Sequence, residues 1–343
     1  MTRVTALVPD HNEQETIADA LWALKQQTRP PDRVLVILDN CTDATRERMW
    51  AFEQGWIAEA FYTSGNRDKK AGALNQALSV IDPRDGDLIL VQDADSFLDP
   101  EFVEQAVASL QRENLGAVGG TFRGKPEGNY LSFCQRSEFI RYQRDTSRLN
   151  GKALTLTGTA MVFKGAALRQ LADSRDDGLF YTVSNLTEDL EISVRLMNLG
   201  WNIKAPRRLT LTTEVMPNLK ELYKQRLRWR EGAVRTVMEY GFVRGCRELY
   251  LRLAYSFFGI LVLFAYLTTI AYAVGTGTFM ILPFWIGVSV IFAIEQFVSV
   301  HRGGIGRAVV GGMLLIEMPY MVFLQAVNFV AYIRAFARPS SGW

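Results

Sequence analysis

Histidine and cysteine are scarce in this 343-residue chain: two His (His11, His301) and three Cys (Cys41, Cys134, Cys246). The cysteines stand far apart, match no metal-ligand spacing and are too few for a disulfide framework. A Cys/His zinc site is therefore not expected. A Ser-His-Asp or Cys-His nucleophile would have to use His11, around which no supporting motif stands. Charge of one sign is not in excess either, since 38 Lys+Arg against 36 Asp+Glu leave a net +2. That balance excludes a strongly basic nucleic-acid binder, and a 48% hydrophobic content excludes disorder. No signal-peptide apolar core follows Met1-Thr2-Arg3. The expectation is a head that stays in the cytoplasm, where free thiols persist.

A mean hydropathy of +0.02 suggests an ordinary soluble protein, but the charges are unevenly placed. Residues 253–294 contain no Asp, Glu, Lys or Arg, and only five of the 38 basic and two of the 36 acidic residues follow residue 251. Three runs (253–274, 279–300 and 308–333) each exceed the roughly 20 residues needed to cross a bilayer. Three spans are expected, in a membrane tail of residues 251–343. Arg244, Arg247 and Arg252 before the first run, and Arg302 and Arg307 between the second and third, put the head on the cytoplasmic side. Arg334 and Arg338 would then face outward if the third run crosses, against that rule. Glu295 and Glu317 stand inside apolar runs, where carboxylates are functional candidates by default. A large enzyme-like head makes transport alone a poor fit.

Ahead of the tail, short apolar runs alternate with amphipathic stretches. Residues 4–8, 34–38, 57–62 and 88–91 read as strands. Helices are expected from Asn12 to about residue 27, with Glu15 as capping-box partner, through Met49 and Phe52, and over 70–80. This rhythm predicts an α/β domain with a mainly parallel sheet covered on both faces. Ligands of such sheets bind beyond the carboxyl ends of the strands, where Asp10, Asp39, Asp93 and Asp95 fall. Further on, 116–122 and 156–163 read as strands flanking a polar helix over 131–148. Thr187 precedes a helix over 188–199 closed by Gly200, and a basic helix covers 219–240. The domains expected are 1–216, a catalytic α/β unit; 217–250, an interfacial helical segment; and 251–343.

Several clusters carry chemistry. Asp93 and Asp95, two apart with no histidine near, suit a hard cation such as Mg2+ or Mn2+; alone, the pattern equally describes a solvated acidic turn. Asp39 can accept from a nucleobase N–H or simply cap the next helix. Lys70 and Gly72 open a helix, which offers an anion site or an ordinary solvated start. Glu188 and Asp189 sit in a first helical turn, where a carboxylate stays ionised and can take a proton from a hydroxyl. Gln225 and Trp229 share a helix face with Arg228 beside them, a grip for phosphate and a platform for a sugar ring.

Taken in order, VPDHNE (8–13), LDNCTD (38–43), KAGALN (70–75), QDADS (92–96), LTGTAMVF (156–163), TED (187–189) and QRLRW (225–229) resemble an inverting family-2 glycosyltransferase. The likeness spans about residues 2–235 and is greatest to the membrane-attached branch that includes cellulose, chitin and hyaluronan synthases. It implies a GT-A, Rossmann-like catalytic domain acting on a UDP-sugar. By that resemblance Asp39 contacts uracil, and Pro9 and Glu13 line the base and ribose pocket. Lys70 lies near the diphosphate. Asp93 and Asp95 hold ribose and a divalent metal, Asp95 as the more direct ligand. Gly158 and Thr159 border the acceptor, Asp189 beside Glu188 is the general base, and Gln225, Arg228 and Trp229 close over donor and acceptor. The resemblance implies a glycan or lipid-linked acceptor at a bilayer. A polyprenyl-phosphate glycosyltransferase, or a silent nucleotide-sugar-binding subunit, are the alternatives. Homo-oligomerisation stays open. Two departures bear on processivity: no hydrophobic segment precedes the catalytic portion, and LTGTAMVF replaces the cysteine-containing version of cellulose synthases.

Overall fold

A computed structural model describes residues 2–53, 58–152, 155–278 and 283–337. The first half alternates as expected: β1 (Val4–Asp10), α1 (Ile17–Lys25), β2 (Arg33–Leu38), α2 (Thr45–Glu53), β3 (Ala58–Tyr62), α3 (Lys69–Ile81) and β4 (Leu88–Gln92). Next come β5 (Ser96–Leu98), α4 (Phe102–Arg112), β6 (Leu115–Gly119), β7 (Thr121–Gly124), α5 (Tyr130–Arg148), β8 (Ala160–Lys164) and α6 (Gly165–Asp173). The catalytic portion closes with α7 (Glu188–Asn198), β9 (Asn202–Lys204), β10 (Thr210–Thr213) and α8 (Leu219–Tyr240). The tail holds α9 (Arg247–Thr276), α10 (Pro283–Val300), a 3-10 turn, α11 (Ile305–Gly312) and α12 (Leu314–Ala337).

Seven strands form the main sheet in the order β3-β2-β1-β4-β8-β6-β9. β3, β2, β1 and β4 run parallel; the Val/Ile/Leu runs of β2, β1 and β4 are buried on both faces, as central parallel strands must be, while β3 is a partly exposed edge. Two apolar layers cover the faces: α1 and α4 with Leu21, Leu24, Phe102 and Val107, and α3, α6 and α7 with Leu74, Leu78, Leu168 and Ile192. Strand order reverses between β1 and β4, which opens a crevice at their carboxyl ends. β8 enters antiparallel to both β4 and β6, so its first residue, Ala160, lies opposite the last of β4, Gln92. That reversal carries the preceding loop to the crevice.

Several expectations from the sequence change. Asn12 does not cap α1. It sits in the left-handed region (φ 62°), and its Oδ1 accepts from the Thr42 N–H at 2.7 Å, tying two strand-tip loops together. Glu15 meets Gln14 instead of closing a capping box, and the helix starts five residues later. The strand expected over 116–122 is two. Gly120 N–H makes the last bond to the main sheet, at Ala160 O, and Thr121 N–H turns to Leu209 O, beginning a small sheet β5-β10-β7. The strand expected over 156–163 begins only at Ala160, because 156–159 turn over the crevice. Residue 57 of the third expected strand lies outside the described residues.

The tail is also corrected. The run 308–333 is not one span: it breaks at Met313 between α11 and α12. Among the described residues two helices are long and apolar enough to cross a membrane, Arg247–Thr276 and Ile316–Ala337. Of the run 279–300, residues 279–282 lie outside the described residues, as does Arg338. Glu317 and Glu295 do not line a path of their own. Arg141 and Arg144 of α5 pair with them.

Candidate active site

The strand tips and two helix starts converge. Lys70, in the first turn of α3, is the hub: its ammonium contacts Asp93 Oδ1, lies 3.4 Å from Glu188 Oε1, and donates to Gly158 O at 3.4 Å. Gly158 N–H donates in turn to Asp189 Oδ2 at 3.0 Å, and Leu190 N–H donates to the other oxygen at 2.8 Å. One residue, Gly158, thus links the cation through its C=O to the α7 carboxylate through its N–H. Thr159 O accepts from Asp93 N–H at 3.1 Å, which locks the loop to the end of β4.

The start of α3 is shaped for this. Lys69 has φ 53°, and the Asn66 carboxamide folds over the first turn, accepting from Asp68 N–H at 3.0 Å and donating to Lys69 O at 2.8 Å. A Cβ at Gly72 would come within 2.1 Å of Asn66 Oδ1, so only glycine admits the loop there.

Electrostatically the crevice is short of positive charge. Burial, then the charges of Asp93 and Glu13, push the Asp95 carboxyl up to about 7. Burial and Glu188 push Asp189 up to about 6, against Lys70 and its two backbone donors. Burial and Glu13 push Asp10 up to about 7, and one of its oxygens has no hydrogen-bond partner. Burial raises Glu13, with Asp93 and Glu214 adding to it. Burial pulls the Lys70 ammonium down, but Asp93, Glu188 and Asp189 outweigh it and hold the group charged. Burial first and mutual repulsion second disfavour ionisation of these carboxylates, and a bound cation would offset both.

The donor set fits a hard divalent ion. Asp95 keeps its carboxylate free except for a 3.2 Å bond from Ser96 Oγ, and Asp93 stands two residues away. Among the described residues no group of three or more His, Cys, Asp or Glu could hold a metal by itself. The Asp93 and Asp95 pair suits Mg2+ or Mn2+, which take one or two carboxylates and fill the remaining positions from phosphate and water.

Next to the crevice, Asp39 is buried at the tip of β2. Its Oδ1 accepts from Thr63 Oγ1 at 2.7 Å and Asn40 Nδ2 at 3.0 Å, which sets the carboxylate's orientation. Pro9, in register with Ile37, is part of the same wall, and Glu13 accepts from Thr16 Oγ1 at 3.0 Å.

Of the helix α8 residues, Arg228 is exposed and its charge is felt at Asp93. Trp229 is 37% exposed. Gln225 Oε1 accepts from Arg226 Nη1 at 2.5 Å. Arg226, within the same motif, was not picked out by spacing. It is buried, bonded to Glu138 at 3.0 Å, and lies 4.4 Å from the Trp229 ring centre, so it braces the indole from behind. Thr63 also escaped the sequence reading, whereas Asp10 was expected at a strand tip without a particular role. For Thr63 the signal existed, since parallel pairing of Leu38 with Tyr62 puts the residues after them side by side.

A mainly parallel sheet with one antiparallel insertion, and a crevice lined with carboxylates at its strand tips, has the architecture of a GT-A glycosyltransferase domain, here followed by C-terminal helices. The family model for "Glycosyltransferase like family 2" matches residues 2–232, and the chain belongs to that family. Over 233 residues it is 26% identical to a poly-beta-1,6-N-acetyl-D-glucosamine synthase of Staphylococcus epidermidis, covering 67% of this chain and 54% of that one. Over 236 residues it is 27% identical to the protein of the same name from Staphylococcus aureus (strain COL), again 67% against 54%. The chain thus spans about half the length of the curated relatives it matches. Its fold is similar to that of the mannosyltransferase PcManGT from Pyrobaculum calidifontis in complex with GDP-Man and Mn2+. There the TM-score is 0.66 at 19% identity, over 97% of this chain and 87% of that one.

Proposed function

We propose that this protein is a membrane-bound, metal-dependent, inverting glycosyltransferase that moves a sugar from a UDP-sugar to a hydroxyl of a glycan or lipid-linked acceptor, building a β-linked saccharide on the cytoplasmic side. The observation that carries this reading is Gly158, whose N–H and C=O join the Asp189 carboxylate to the Lys70–Asp93 pair. It sets a base and a diphosphate-binding cation on either side of one small turn.

In this reading Asp39, Pro9 and Glu13 hold the nucleoside, and Lys70 and Arg228 neutralise the diphosphate. Asp95 and Asp93 would hold the divalent ion, which when bound offsets charge on the departing phosphate. Trp229 and the 158–159 turn hold the acceptor. Asp189 takes the acceptor hydroxyl's proton as the acceptor oxygen bonds to the anomeric carbon. The bond from that carbon to the β-phosphate oxygen breaks on the opposite face, and UDP leaves with the electron pair. One displacement inverts the anomeric centre and needs no nucleophilic Ser or Cys. With its carboxyl at about 6, Asp189 is mostly ionised at neutral pH and still basic enough to accept a proton.

The test is UDP release by the detergent-purified chain with Mn2+ or Mg2+ and individual sugar nucleotides, with product mass. UDP-N-acetylglucosamine is the first donor to try, because the relatives are named for polymers of that sugar. Asp189→Asn should keep UDP binding by calorimetry and lose about 100-fold or more in transfer. Transfer at the wild-type rate by that variant would remove Asp189 from the role.

A further inference from the structure

The tail helices differ in how their surfaces are disposed. α9 leaves the head at Leu253, which is buried, and none of its most apolar 18-residue window is covered. Phe258, Phe264, Ile270 and Val274 are exposed and point to different sides of the axis, so apolar surface surrounds the helix. Beyond its first turns, where Leu253, Phe257 and Gly259 meet α12, the helix is uncharged and largely bare, which is what a lipid environment requires. α10 returns to the head, where Ser299 Oγ accepts from Arg141 Nε at 3.3 Å and Glu295 pairs with Arg144 at 2.9 Å.

α12 is built otherwise. At 24 residues it is about 36 Å long, enough to span. Yet both ends and the middle are bonded to the head. Tyr130 Oη donates to Ile316 O at 2.6 Å near its start, Arg230 Nε to Asn328 Oδ1 at 2.8 Å, and Arg334 lies 3.9 Å from Glu231 near its end. A helix crossing the bilayer would separate its ends by roughly 30 Å of hydrocarbon, which these contacts forbid. Its exposed large apolar residues fall on one broad stripe, Met318, Met321, Val322, Phe329, Ile333 and Phe336, opposite the face packed on α8.

We propose that α9 and α10 cross the bilayer as a hairpin, while α12 stays on the side of the head and lies in the interface with that stripe toward lipid. This rests on the membrane attachment proposed above. It removes the conflict that Arg334 would create if three helices crossed. It also places α8 close to the lipid: Leu227 packs on Val327 and Ala331, so the helix carrying Arg228 and Trp229 is one helix diameter, about 10 Å, from the interface. An acceptor held at the membrane surface is within its reach.

Single cysteines in a Cys41→Ser, Cys134→Ala, Cys246→Ala background of the full chain test this with a membrane-impermeant maleimide on intact cells. Thr276→Cys, at the far end of α9, should label equally before and after permeabilisation. Ala337→Cys should lose nearly all labelling in intact cells, like Trp50→Cys in the head. Labelling of Ala337→Cys from outside overturns the docking of α12. Protection of Thr276→Cys in a chain that resists alkaline extraction overturns the crossing hairpin, whereas release by alkali overturns the membrane reading itself. Should the cysteine-free background fail to fold, the wild-type chain carrying a C-terminal GFP or alkaline phosphatase gives the second measurement. Fluorescence without phosphatase activity is expected, and the reverse overturns the proposal.

Discussion

Asp95 shows most directly how function opposes stability at a single position. Its carboxyl is raised to about 7 by burial and by the neighbouring charges of Asp93 and Glu13. A folded-state value above the unfolded one means that the folded protein binds the proton more tightly. The associated stability is fully present below the unfolded value near 3.8 and is lost as pH rises through about 7. Asp95→Asn removes the charge that causes the loss. In the absence of metal and nucleotide, its Tm should exceed wild type by a few degrees at pH 8, and the gap should shrink as the pH falls through 7 and close only near pH 4, by differential scanning fluorimetry. The same variant should lose the Mn2+-dependent part of UDP binding. This residue was legible in the sequence as half of a two-apart carboxylate pair at a strand end. Its neighbours in the crevice, Glu13 and Asp10, come from the tip of a different strand, and no local pattern relates them to it.

At the scale of elements, the contact between α7 and α8 aligns Asp189, the proposed base, with the helix proposed to close over the substrates. A Cβ on Gly232 would lie 2.5 Å from Thr187 Oγ1 and 2.7 Å from its methyl, so the two helices meet at a glycine opposite the residue just before Glu188. Glu191 and Arg195 of α7, buried and joined to each other, extend the tie to Tyr240 at the far end of α8. Gly232→Val should force α8 outward and shift Arg228 and Trp229 against Asp189. The expected result is a fall in kcat of about tenfold or more, since displacement by about 1 Å is costly in a positioned site. Fold retention is checked by circular dichroism. The extents of α7 and α8 could be read from periodicity, from the acidic first turn of α7 and from Gly200 at φ 89° beyond its end. Their mutual approach could not, because a glycine inside a helix says only that something comes close.

Across the whole molecule, α5 joins the catalytic head to the tail. Arg141 and Glu317 form a pair that is mostly shielded from water, with Ser299 completing the arginine's bonds. Removing one partner of such a pair leaves the other charge uncompensated, at a cost of about 3–5 kcal/mol. Arg141→Leu should therefore lower the Tm in detergent by several degrees, measured by nanoscale fluorimetry, and more than Arg123→Leu, whose partner Asp99 is at the surface. Glu295 and Glu317 looked from the sequence like carboxylates stranded in apolar runs. Their arginines are more than 150 residues away, so the pairing was invisible to any window.

The sequence by itself determined the alternation of strands and helices, the carboxylates at strand ends, the order of the seven motifs and the division between a charged head and an almost uncharged tail. Each of these is written in periodicity or composition over a short stretch, where local physics is sufficient. The tertiary structure decided what depends on distant segments meeting. It inserted β8 antiparallel so that Gly158 reaches Lys70 and Asp189. It broke the strand after Gly119 between two sheets, because the hydrogen-bond partners change there from Ala160 to Leu209. It laid α12 along the head rather than apart from it, since hydropathy measures how apolar a helix is and not which surface covers it.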